Sequence, residues 1–155
     1  MDEYLKDELE SLRDLYITAT PRQRRNIIEQ RINNPKALPN LFVTRIAAIE
    51  SLARTLVMNS QAKTKTELRE IYQNKYRFRK VENMIREYLR INGFGAAPDV
   101  FGEESWKVFR IAVEYRNLLV HECTYLGPQK FEPMNQAIEH VLNTLTKLAK
   151  LKVKK

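Results

Sequence analysis

Apolar residues recur along most of this chain at three- and four-residue intervals, the spacing that lines one face of an α-helix. Tyr4, Leu5, Leu9, Leu12, Leu15 and Tyr16 outline a leading amphipathic helix with an acidic outer face. Thr20-Pro21-Arg22-Gln23 then offers a capping hydroxyl, a proline suited to a first helical position and a glutamine able to reach back to the cap amide. A second helix is predicted from Pro21 to about Asn33, ended by Asn33-Asn34-Pro35. Leu38, Phe42, Ile46, Ile49, Ala53 and Leu56 form one stripe of a long central helix reaching about Ser60. Thr64 and Glu67 repeat the capping signature, and Leu68, Ile71 and Tyr72, then Val81, Ile85, Tyr88 and Leu89, continue the pattern as one bent helix or two. Asn92 to Asp99, with Gly93 and Gly95, is the clearest loop. A strong helix is expected from Gly102 to Glu122, a short loop at Gly127-Pro128, and a last amphipathic helix from about Pro133 into a Lys-rich end. Strand-type alternation is scarce, so the expected fold is all-α, an up-and-down bundle of six to seven helices.

At 155 residues, with 43% apolar and 30% charged side chains, the chain is sized for one hydrophobic core and is neither disordered nor membrane-embedded in composition. Its most apolar stretch, Leu41 to Met58, is interrupted by Arg45, Glu50 and Arg54 at helical spacing and reads as a core helix, so no membrane partner is expected. One cysteine, Cys123, excludes an intrachain disulfide, and with only His121 and His140 beside it no zinc spacing exists. No metal and no cofactor are expected. The acidic start, Met-Asp-Glu-Tyr-Leu-Lys, lacks the basic-then-apolar order of a signal peptide, and a cytoplasmic location fits it. The phosphate loop, the nucleophile turn and the His-Glu-x-x-His zinc helix are missing, and Gly93-x-Gly95 follows a helix without the third glycine of a dinucleotide fingerprint.

The formal charge of +8 is unevenly spread. Residues 1–19 hold 2 basic and 6 acidic side chains, 20–80 hold 14 and 4, and 81–155 hold 11 and 9. The positive field therefore sits in the middle of the chain, where it would hold an anionic partner such as RNA. Within it Lys63, Lys65, Arg69, Lys75, Arg77, Arg79 and Lys80 are interleaved with Tyr72, Tyr76 and Phe78. Such a mixture is able to neutralise phosphates and stack unpaired bases, or it is a solvated face whose aromatics point into the core. Arg22, Arg24, Arg25 and the terminal Lys150, Lys152, Lys154 and Lys155 are weaker candidates for the same role.

The helix over 103–122 breaks its own pattern. At about 100° per residue, Lys107, Arg110, Glu114, Asn117 and His121 fall in an arc of roughly 80° and form one polar stripe. Phe109, Ile111, Ala112, Val113, Tyr115, Leu118, Leu119 and Val120 fill most of the rest, which predicts a helix near the bundle centre. Arg116 falls inside the apolar arc. A guanidinium there needs a partner, because an unpaired buried charge costs several kcal/mol. The partner is either an acid on a neighbouring helix, with Glu50 the candidate, or an anion in a cleft or subunit interface. His121 lies four residues after Asn117, so the amide is able to orient the imidazole, which titrates near neutral pH and suits proton transfer.

Arg116-Asn117-Leu118-Leu119-Val120-His121 resembles the Arg-x4–6-His motif of the HEPN superfamily, the higher-eukaryote and prokaryote nucleotide-binding helical domains. As in that family, a polar residue follows the Arg, the intervening residues are apolar, and the motif ends the penultimate helix. The resemblance covers residues 38–155, where Ile49-Glu50-Ser51-Leu52-Ala53-Arg54 is similar to the small-residue first helix of a four-to-five-helix core; residues 1–37 form an N-terminal helical extension. Cys123 stands where members paired with a nucleotidyltransferase antitoxin carry a modified Tyr, and Tyr125 follows two positions later.

The resemblance implies a metal-independent endoribonuclease, a toxin or defence effector, with RNA as substrate and an antitoxin protein as a possible partner. It implies a homodimer with a composite active site in which His121 moves protons, Arg116 holds the phosphate and Asn117 positions either, supported by Glu50, Glu114 and Arg110. A non-catalytic HEPN-like module that binds nucleotide or RNA, or docks on a partner, and a helical adaptor are the alternatives.

Overall fold

The computed structural model describes residues 2–32, 41–122 and 128–151, and within these its regular structure is all helical, without strands. The elements are α1 (Asp2–Ile17), α2 (Pro21–Ile32), α3 (Leu41–Asn59), α4 (Lys65–Ile71), a π-helical turn (Tyr72–Tyr76), α5 (Val81–Ile91), α6 (Ala97–Phe101), α7 (Glu103–Glu122) and α8 (Pro128–Leu148). The expected all-α bundle is present, with eight α-helices among the described residues where six or seven were expected. Side chains of several helical residues, Tyr4, Leu5, Leu9, Leu118, Leu119 and His121 among them, lie outside the described residues, as do Leu38, Cys123, Tyr125 and the last four lysine-rich positions.

Local chemistry starts the helices. Ahead of α2, Thr20 N–H donates to Gln23 Oε1 at 2.9 Å and Gln23 N–H donates to Thr20 Oγ1 at 3.2 Å, closing the expected reciprocal box. At α4 the box is shifted: Glu67 N–H donates to Thr64 Oγ1 at 3.1 Å, but the Glu67 carboxylate accepts from Lys63 N–H, one residue before the cap. The stretch from Thr64 to Asn92 resolves into two helices. Arg77 N–H donates to Tyr72 O at 2.9 Å across the π turn, and Lys80 adopts an extended backbone before α5. Gly93, at φ +72°, ends α5 in a left-handed conformation that a β-carbon disfavours.

Packing is organised by α3. Ile46, Ile49, Leu52, Ala53, Leu56 and Val57 are buried, and α2, α5, α7 and α8 all pack against this helix. Burying each large aliphatic side chain contributes about 1.5–3 kcal/mol, against about 1 kcal/mol for a cap, so α3 dominates the local energetics. Val81, Met84, Ile85, Tyr88 and Leu89 of α5 and Met134, Ala137, Ile138, Val141 and Leu145 of α8 complete the same core. Phe101 stacks on Trp106 at 5.4 Å, which seats the short α6 against α7.

Four expectations are corrected. The helix carrying Arg116 is not the centre: α7 lies along α8 and buries Trp106, Phe109, Ala112, Val113 and Tyr115, but Ile111 is 48% and Val120 52% exposed. The loop predicted over 92–99 stops at Ala96, because Ala97-Pro98 opens α6 with proline near the first helical position. The last helix begins at Pro128 and carries Pro133 in its interior, where the missing N–H removes one bond to the carbonyl of Gln129. On α1, Leu12 and Leu15 are exposed and the described packing is confined to the last turn, through Tyr16 and Ile17.

Candidate functional site

Arg116 sits on the α7 face turned toward α3, next to buried Ala112, Val113 and Tyr115. Its side chain is 15% exposed, and Nη2 lies 3.7 Å from Oε1 of Glu50 on α3, itself 29% exposed. Arg116 Nε also donates to Asn117 Oδ1 at 3.0 Å. Of the two accounts for a cation in this apolar arc, the described contacts realise the ion pair with Glu50. The separation is longer than the 2.7–2.9 Å of a charge-assisted hydrogen bond, and a guanidinium carries five donors, so the pair positions Arg116 without using up its donor capacity.

The structure thus brings Glu50, Arg116 and Asn117 together. The backbone of His121 lies in the last turn of α7, five residues after Arg116, and its side chain lies outside the described residues. Lys107, Arg110, Glu114 and Asn117 are exposed along the outer side of α7, and Arg110 and Glu114 form no ion pair among the described residues. His140 Nε2 is 2.8 Å from the carbonyl oxygen of Phe101, a contact that ties α8 to α6.

The basic segment is partly neutralised within the fold. Arg69 donates twice to Asp14 of α1, from Nε at 2.6 Å and from Nη2 at 3.0 Å, so the acidic leading helix covers part of its own basic centre. That hydrogen bond holds the Asp14 carboxyl below the usual carboxylate range. Lys75 Nζ lies 2.6 Å and Arg79 Nη2 3.7 Å from the Glu87 carboxylate, which is largely buried on α5 and also has Arg90 at 3.8 Å. Burial pushes the Glu87 carboxyl up, but the hydrogen bonds from Lys75 and Tyr76 together with the surrounding cations hold it below its ordinary value. Lys63, Lys65, Arg77 and Lys80 have no ion-pair partner among the described residues. The aromatics divide: Tyr76 is fully buried with its hydroxyl bonded to Gln61, Tyr72 is half-buried, and Phe78 is 86% exposed with the Arg77 guanidinium 5.0 Å from its ring centre. No described hydrogen bond or ion pair joins this segment to α7. Helix α3 contacts both, with Glu50 facing Arg116 and, one turn on, Arg54 Nε donating to Tyr76 O at 3.2 Å.

Sequence reasoning missed a cavity of about 380 Å³ lined by residues of α1, α2, α3 and the π turn, Arg13, Tyr16, Arg24, Arg54, Thr55 and Tyr72 among them. Arg24, a weaker candidate for RNA contact from the sequence, is buried: Nε donates to Thr55 Oγ1 at 3.0 Å, Nη2 donates to Tyr16 O at 2.6 Å, and the guanidinium lies 4.9 Å from the Tyr16 ring centre. Burial, and then the charge of Arg54, push its guanidinium below the ordinary arginine value. The sequence signal was Arg24 and Arg54 on separate helices, which only their apposition turns into a site. Among the described residues no helix is long and apolar enough to cross a membrane and no cluster of His, Cys, Asp and Glu suits a metal ion. No protein-family model, curated protein or solved structure matches the chain.

Proposed function

We propose that this chain is a metal-independent endoribonuclease of the HEPN type, acting in the cytoplasm as a toxin or defence effector and working as a homodimer. The observation that carries the reading is the seating of Arg116: a cation in an apolar arc, steadied by Glu50 and Asn117, on the helix that carries His121. RNA cleavage of this type has the 2′-hydroxyl attack the adjacent phosphorus, leaving a 2′,3′-cyclic phosphate and a 5′-hydroxyl. It requires a proton acceptor for the hydroxyl, a proton donor for the leaving oxygen and positive charge on the phosphorane. In this reading His121 moves the protons, with the partner's copy of the motif supplying the second group. Arg116 holds the phosphorane oxygens through the donors that Glu50 and Asn117 leave free. Arg110 and Glu114 lie on the outer side of α7, where the RNA would approach, and Phe78 with Arg77, Lys63, Lys65 and Lys80 supplies a stacking and phosphate-binding surface for the rest of the RNA.

A second reading is favoured by the same ion pair. Glu50 alone is a sufficient physical reason for a cation at position 116, which suits a non-catalytic HEPN-like module that binds nucleotide or RNA, or docks on a partner such as an antitoxin. Expression in a bacterial host separates the two. The nuclease reading expects growth arrest that disappears in Arg116→Ala and in His121→Ala, both accumulating as folded protein. Arrest that persists in both variants, or no arrest and no RNA cleavage by the wild-type chain, favours the second.

A further inference from the structure

The cavity between α1, α2, α3 and the π turn is lined by three arginines, Arg13, Arg24 and Arg54. No carboxylate is among its described lining residues, and none among the described residues lies within ion-pair distance of any of the three. Elsewhere in this molecule cations near the core are matched with acids, as in Arg116 with Glu50 and Lys75 with Glu87. Arg24 is buried beside Arg54 without a counterion, which is costly, so this cavity is built for an anion it does not itself supply. Two of the cations are fixed in advance. Arg24 is anchored by Thr55, by the Tyr16 carbonyl and by the Tyr16 ring, and Arg54 is anchored by the carbonyl of Tyr76, the last residue of the π turn. Anchoring by one or two donors leaves the others of each fork for a ligand at little further ordering cost.

The rest of the lining is aromatic and apolar: Tyr16, Tyr72, Leu12, Ile17 and Met58, with Ser51 beside Thr55. A simple inorganic anion has no use for such a wall, whereas a ligand with a planar ring does. The volume of about 380 Å³ lies at the small end of the range of about 300–1,000 Å³ for small-molecule sites. We propose that this cavity binds a free phosphate monoester carrying an aromatic ring, the class to which nucleoside 5′-monophosphates belong, with Arg13, Arg24 and Arg54 on the phosphate and Tyr16 and Tyr72 beside the ring. The site is separate from the α7 motif and does not depend on the nuclease reading.

Isothermal titration calorimetry of the full chain tests it, with each ribonucleoside 5′-monophosphate, the matching nucleosides and inorganic phosphate as probes. At least one monophosphate binds about tenfold or more tightly than both its nucleoside and inorganic phosphate, since a charge-assisted contact and a ring contact each contribute on that scale. Arg54→Gln and Arg13→Gln each weaken it by a similar factor. Arg13 is exposed, so its variant keeps the thermal midpoint and separates loss of binding from loss of fold. The variant Arg116→Ala leaves the affinity unchanged. The proposal is overturned by equal binding of nucleotide and nucleoside, by unchanged affinity in both Arg13→Gln and Arg54→Gln, or by loss of binding in a folded Arg116→Ala. A 5′-phosphorylated tetraribonucleotide that outcompetes the mononucleotide overturns the assignment to a free ligand.

Discussion

At the scale of single residues, the strongest constraint is Arg116 facing Glu50. Both side chains are less than a third exposed, so their coupling should fall between that of exposed pairs and buried ones, at about 1–2 kcal/mol. A double-mutant cycle of Arg116→Met and Glu50→Gln read by denaturant unfolding checks this, and coupling near zero would remove the pair as the reason for Arg116. Glu87 gives a pH prediction. Its folded pKa lies below the unfolded value, so its ion pairs stabilise the protein above the unfolded carboxyl range and that stability is lost as pH falls through the folded value. Glu87→Gln should therefore lower the thermal midpoint at neutral pH and flatten its fall with acidification; equal slopes for variant and wild type would contradict this. Glu50 was legible in advance because Arg116 interrupts an apolar arc and Glu50 flanks the stripe of the facing helix. Glu87 was not, since nothing in Val81–Ile91 alone shows that Lys75 and Arg79 fold back onto it.

Elements were legible where short-range chemistry decides them and less so where packing does. The Thr20 and Thr64 caps and the bounds of α7 follow from residues within one turn of each other. Pro133 misled because proline marks a helix start only when no earlier residue offers one, and Pro128 does. The place of α7 was misjudged for a different reason. An apolar arc shows that a surface is covered without showing what covers it, and two of its members, Ile111 and Val120, are exposed. Exposed Ile111 on α7 suits the proposed homodimer, with α7 near its twofold axis. If the proposed homodimer pairs α7 with its own copy, Ile111→Lys should yield a monomer in analytical ultracentrifugation without loss of helicity by circular dichroism. A wild-type chain that sediments as a monomer at tens of micromolar would contradict it.

Considered as a whole, the molecule has two cation-rich regions that meet α3 one turn apart, at Glu50 and at Arg54. The overall charge of +8 pointed to an anionic partner without distinguishing these regions, because the distinction arises from how α1, α2 and α4 pack. The acidic lead segment has a structural role in that packing, since Asp14 clamps Arg69. The central claim concerns the α7 side, and the direct measurement is incubation of the purified chain with structured and single-stranded RNAs in EDTA, followed by analysis of the product ends. The account predicts cleavage that leaves 2′,3′-cyclic phosphate and 5′-hydroxyl ends and that is lost in folded Arg116→Ala and His121→Ala. Intact RNA after incubation with the wild-type protein, or cleavage by His121→Ala at the wild-type rate, would contradict it.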